Sequence, residues 1–118
     1  MDHNVLAARI TKSTEFLTDC SAIANAILSR RRVPKSRVRK LERYRLFFEA
    51  MKGDGAMLAR LADCQLRLLD ENIELVAIYN ALGDSEVLRQ KARQIGELMK
   101  EREEIMKEIR RKVGLNGV

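Results

Sequence analysis

Leu61, Leu68, Leu75 and Leu82 fall at intervals of seven residues, with Leu58, Cys64, Ile78 and Tyr79 at three- and four-residue steps from them. That period fits one face of an α-helix and no strand, whose side chains change face at every residue. Leu69, Ile73 and Val76 widen the seam beyond the stripe of a two-stranded coiled coil. A helix over about 56–82 is therefore predicted to pack against more than one neighbour.

The punctuation around this helix extends the pattern. Gly53-Asp54-Gly55 precedes it and Gly83-Asp84-Ser85 follows it, with Gly83 suited to a left-handed stop and Asp84 or Ser85 to capping a restart. The next helix, about 86–112, carries Leu88, Ile95, Leu98, Met99, Ile105, Met106, Ile109 and Val113 as its apolar set. Glu86 in its first turn and Arg110, Arg111 and Lys112 in its last complement the helix dipole. Two helices of about 40 Å each, joined by so short a turn, predict a long antiparallel hairpin.

Upstream, Leu6, Ile10, Leu17, Cys20, Ala24 and Ile27 recur at helical steps, with Ser13 as the polar member of the stripe, which predicts a first helix over about 4–31. Pro34 disfavours helical geometry at Val33 and suits the first turn of a new helix. A second helix is thus expected over about 35–51, with Leu41, Tyr44, Phe48 and Met51 on one side. With one Pro and no Trp in 118 residues, and an apolar stock of mainly Leu, Ile, Ala, Val and Met, strand candidates are missing. The expected fold is all-α, a small helical bundle with a long antiparallel C-terminal helical hairpin, forming a single helical domain over 1–118.

The second helix is too short to cover both hairpin helices from end to end. A homodimer or higher homo-oligomer is therefore expected to complete the core, with Leu61, Leu68, Leu75, Ile95, Ile105 and Ile109 as its buried oligomerisation and core residues. A closed single-chain bundle using the long first helix is the competing arrangement.

Charge is distributed unevenly. The segment 30–45 holds Arg30, Arg31, Arg32, Lys35, Arg37, Arg39, Lys40, Arg43 and Arg45 against the single acid Glu42, whereas the rest of the chain has fourteen Lys or Arg and sixteen Asp or Glu. The net charge of +6 therefore arises wholly in this segment. Lys35 and Arg37 also fall near the positive end of the expected second helix, where cations are intrinsically unfavourable. An external polyanion resolves both points, through phosphate contacts or bidentate arginine pairs. Lys35, Arg39 and Arg43 make one ridge small enough for a groove, with Arg37, Lys40 and Arg45 around it.

The expectation is a non-enzymatic nucleic-acid-binding oligomer, contacting duplex DNA through a basic helix-break-helix surface. RNA is open, and the same charge suits a helical adaptor or chaperone-like factor that binds an acidic protein. A compact helix-turn-helix is not indicated, because the helices on either side are long. An accessory protein of a phage or mobile element is compatible with this architecture.

Other chemistries find little support. His3 is the only histidine, so no Ser-His-Asp or Cys-His arrangement forms, and no catalytic residue or metal ligand is expected. Glu97, Glu101, Glu104 and Glu108 share a helix side with Lys100, Arg102 and Lys107 nearby, which reads as a salt-bridged solvent face. Asp63, Asp70, Glu71 and Glu74 read the same way. No cofactor is expected, since no Gly-rich phosphate loop is present. Cys20 and Cys64 stand 44 positions apart on apolar faces and read as buried thiols. Without a signal peptide or a membrane span, a cytoplasmic or nucleoid-associated location is expected.

Overall fold

In the computed structural model, which describes residues 2–114, all regular structure is helical. The elements are α1 (His3–Leu28), α2 (Lys35–Glu42), α3 (Tyr44–Met51), α4 (Ala56–Leu82) and α5 (Glu86–Val113). Helices α4 and α5 form the expected antiparallel hairpin. Its direction is legible in the pairs along it: Arg60 meets Glu108, Arg67 meets Glu101, and Lys91 meets Glu71 and Glu74. Gly83, at φ 63°, ends α4 in a region closed to most side chains, and the Ser85 hydroxyl caps α5 by accepting from the Leu88 N–H at 3.2 Å.

Helix α4 is the central element. Leu61, Leu68, Leu69 and Ala62 are fully buried, and Leu58, Leu66, Leu75 and Val76 nearly so. The hairpin partner covers one side of it, while α1 and the α2–α3 arm cover the other. Leu61, Leu68, Leu75, Ile105 and Ile109 are thus buried within one chain, and Ile95 is half-buried against the same core. Five of these six side chains are therefore covered within a single chain, and Ile95 in part.

Two boundaries differ from the sequence expectation. The first helix stops at Leu28, ahead of Pro34, through a paired turn in which Arg30 N–H donates to Ile27 O at 3.0 Å and Arg31 N–H to Ala26 O at 2.8 Å. This is the Schellman closure, and its left-handed position is held by Arg30 at φ 55° where glycine is usual. The expected 35–51 helix is divided at Arg43 into α2 and α3. Arg43 keeps right-handed helical dihedrals, so the buried series Leu41, Tyr44, Phe48 and Met51 continues across the division.

An aromatic cluster fixes that arm to α1. Phe16 meets the rings of Tyr44 and Phe48 edge-on at 5.3 and 5.1 Å, and Tyr44 stacks on Phe48 at 5.8 Å. Such pairs add about 0.5–1.5 kcal/mol each beyond the area they bury. Because Leu68 is fully enclosed where α4 faces its neighbours, Leu68→Ala should lower the unfolding free energy by about 2–5 kcal/mol in urea denaturation. A loss below about 1 kcal/mol would show that α4 is not buried as described.

Candidate nucleic-acid interface

The segment 29–45 leaves α1 at the Schellman turn, crosses an irregular stretch and enters α2. Val33 and Leu41 are buried and Val38 is half-buried, which anchors the inner side of this arm. At 100° per residue, Lys35, Arg39 and Arg43 fall on the side away from Leu41, and all three are exposed. Arg30, Arg31, Arg32 and Arg37 are exposed as well.

Ion pairing separates these cations from the rest of the molecule. Of the fourteen Lys and Arg outside 30–45, twelve pair with a carboxylate; Arg102 and Arg111 are the others. Inside the segment only two of nine pair. Lys40 reaches Asp19 at 3.1 Å, and Arg45 reaches Asp70 at 2.7 Å and Glu42 at 3.0 Å. Those hydrogen bonds, to Glu42 first and Asp70 second, hold the Arg45 guanidinium above its ordinary pKa. Arg30, Arg31, Arg32, Lys35, Arg37, Arg39 and Arg43 have no carboxylate partner among the described residues.

The acids tell the same story from the other side. Every Asp and Glu except Asp2 is in an ion pair, and Asp2 caps α1 by accepting from the Asn4 N–H at 2.7 Å. Exposed pairs contribute only about 0–1 kcal/mol each, so their stabilising effect is small. Their consequence is electrostatic: the unpaired positive charge is concentrated on one arm. The start of α2 adds to it, because Pro34 provides no side-chain cap and the first turn contains no acid.

Lys40 and Arg45 therefore act first as ties that hold the arm to α1 and α4. Asp19 receives a second tie from the Tyr44 hydroxyl, which donates to it at 2.6 Å. Burial, followed by this hydrogen bond to Asp19, keeps the Tyr44 phenol protonated well beyond its ordinary range. The rings of Tyr44 and Phe48 belong to the core, and the Arg9 guanidinium lies over Phe47 at 5.3 Å.

One side chain contradicts the solvent-face reading of α5. Arg102 is buried between helices, where its Nε donates to Gln65 Oε1 at 2.7 Å. Burial lowers its pKa. The signal was present in the sequence, since Leu98, Arg102, Ile105 and Ile109 follow the apolar spacing of one helical face. Glu97, Glu101, Glu104 and Glu108 pair instead with Lys100, Arg67, Lys107 and Arg60, respectively.

Among the described residues, no group of three His, Cys, Asp or Glu side chains is arranged to hold a metal ion, and no helix is long and apolar enough to cross a membrane. No protein-family model, curated protein or solved structure matches the chain.

The two thiols lie inside the core. Burial, with the Asp19 carboxylate second, pushes Cys20 up to about 12, and burial, with Glu101 second, pushes Cys64 up to about 11. Both exceed the ordinary value of 9.0. Above that pH the unfolded chain gives up thiol protons that the folded chain retains, so stability is lost from pH 9.0 to about 12 for Cys20 and to about 11 for Cys64. Ellman's reagent near neutral pH should label neither thiol in the folded protein and both in urea. Cys20→Ala should flatten the alkaline decline in stability; rapid labelling of the folded protein would contradict the burial.

Proposed function

We propose that the chain binds duplex DNA through the phosphate backbone, using the arm between α1 and α3. The observation that carries this reading is the segregation of charge: seven exposed cations without a carboxylate partner on one arm, in a molecule whose other cations are almost all paired. Held together in water, these side chains repel one another, and counterions condensed on a nucleic acid are released when they take its phosphates.

Helix geometry favours duplex DNA. Lys35, Arg39 and Arg43 form a ridge that rises about 6 Å per step, on a helix that fits a major groove about 12 Å wide. The corresponding groove of duplex RNA is deep and narrow and excludes such an element. Single-strand recognition needs open rings for bases to stack on. Tyr44 and Phe48 are buried, and Phe47 is half-buried with Arg9 over its ring.

In this reading Lys35, Arg39 and Arg43 face the duplex, Arg37 and Arg30–Arg32 extend the contact along the backbone, and Lys40 and Arg45 keep the arm in position. The reading rests on one chain. A dimer would duplicate the arm and lengthen the contact, but the ridge is complete without it.

Arg39→Ala combined with Arg43→Ala should weaken duplex binding and reduce the slope of log K against log salt by about one to two phosphate equivalents, with helical content unchanged by circular dichroism. The titration should compare duplex DNA, single-stranded DNA, duplex RNA and polyglutamate at several salt concentrations. Duplex DNA should bind best and lose most in the double variant. No binding to any nucleic acid at low salt by the folded protein would reject the proposal.

A further inference from the structure

A groove of about 680 Å³ lies where the C-terminal end of α1 meets the tip of the α4–α5 hairpin. Its floor is apolar, formed by Ile27, Leu75, Tyr79 and Leu88, with Ala24 and Ala92 leaving room for a backbone to approach. Leu28, at the rim, is 81% exposed. Leu82 and Val87, 58% and 50% exposed, flank the turn that closes the groove. Among the described residues these are three of the five exposed large hydrophobic side chains, gathered at one end of the molecule, whereas Val5 and Leu46 lie elsewhere on α1 and α3.

We propose that this groove docks an acidic amphipathic helix of a protein partner, two turns of it seated on the floor and its carboxylates on Arg30 and the neighbouring Arg31 and Arg32. The dimensions fit. From Leu75 on α4 to Gly83 just past its end, the groove wall spans about 12 Å, close to two helical turns, which is the reach of apolar anchors at i, i+3 or i+4, and i+7.

Charge selects the occupant. The groove's other charged lining residues, Asp84 and Arg89, pair with each other at 2.8 Å, whereas Arg30 at the rim has no carboxylate partner among the described residues, as is true of Arg31 and Arg32 beside it. Its backbone sits at φ 55°, in a position that favours glycine, where the Schellman closure holds it beside the groove. The Tyr79 hydroxyl donates to the Arg31 carbonyl at 3.0 Å and ties the arginine turn to α4. A second copy of this chain would bring more unpaired arginine to the same place, because its own described acids other than Asp2 are already in ion pairs. An acidic helix supplies the missing charge and the apolar side chains together.

The test uses the full chain and fluorescence anisotropy with three synthetic peptides of about 14 residues. One is built of Glu and Leu with leucines at helical spacing, one is its scramble, and one replaces every Glu with Lys. The periodic acidic peptide should bind more tightly than either control. Leu28→Gln, at an exposed position that folding does not require, should weaken it about tenfold. Arg30→Gly, which suits the local backbone, should weaken it about threefold and reduce its salt dependence.

The two readings share Arg30–Arg32, and the same experiment separates the parts they do not share, the groove floor and the Arg39–Arg43 ridge. Leu28→Gln should leave duplex DNA binding unchanged, and the Arg39→Ala, Arg43→Ala double variant should leave peptide binding unchanged. Equal binding of the periodic and scrambled acidic peptides, or loss of peptide binding in the double variant, would overturn the groove proposal by reducing it to charge on the ridge. Self-association in sedimentation that Leu28→Gln abolishes would also overturn it, by placing a second copy in the groove. Failure of duplex binding with the peptide results as expected would remove only the DNA reading.

Discussion

Helix α4 has apolar side chains around most of its circumference, and one neighbouring helix cannot cover them. The fold is the solution to that constraint. Helix α5 returns along one side after Gly83, and α1 with the α2–α3 arm closes the other. The arm is short, so its inner side is committed to Val33, Leu41, Tyr44, Phe48 and Met51, and its outer side is left for charge. Burial on one side of the arm thereby orients the cations on the other.

Most of the helical architecture was legible because periodicity and breakers agree. The leucine heptads identify α4, Gly83 and Ser85 identify the turn, and the spacing of Leu41, Tyr44, Phe48 and Met51 identifies the buried side of the arm. What escaped was local or global, with a physical reason in each case. The end of α1 is set by a left-handed arginine, and no sequence rule expects Arg where Gly is favoured. The division at Arg43 leaves the apolar series unbroken and so leaves no trace in it. Arg102 carries the most polar side chain on an apolar stripe, and reading it by residue type placed it in solvent when reading it by position would have placed it inside.

The basic segment was visible as composition, yet composition could not distinguish its members. Long-range pairing does so. Lys40 and Arg45 find acids on α1 and α4, at positions distant in sequence, while the other seven cations find none. The apolar groove was illegible for the same reason, since Ile27, Leu75 and Leu88 each belong to an ordinary helical stripe and converge only in three dimensions. Pairing accounts for the acids as well: on α4, Asp63 and Asp70 hold the α2–α3 arm through Lys52 and Arg45, whereas Glu71 and Glu74 on α4 and Glu101 and Glu108 on α5 hold the hairpin helices to each other.

In the proposed interface, the unpaired arginines of one arm form the polyanion-binding surface. The most direct measurement is NMR of arginine side-chain Nε–H resonances while a short DNA duplex is titrated into the folded protein. Arg30, Arg31, Arg32, Arg37, Arg39 and Arg43 should shift together and saturably, while Arg9, Arg60, Arg67 and the buried Arg102 stay in place. Shifts centred on the hairpin, or spread evenly over paired and unpaired arginines alike, would contradict it.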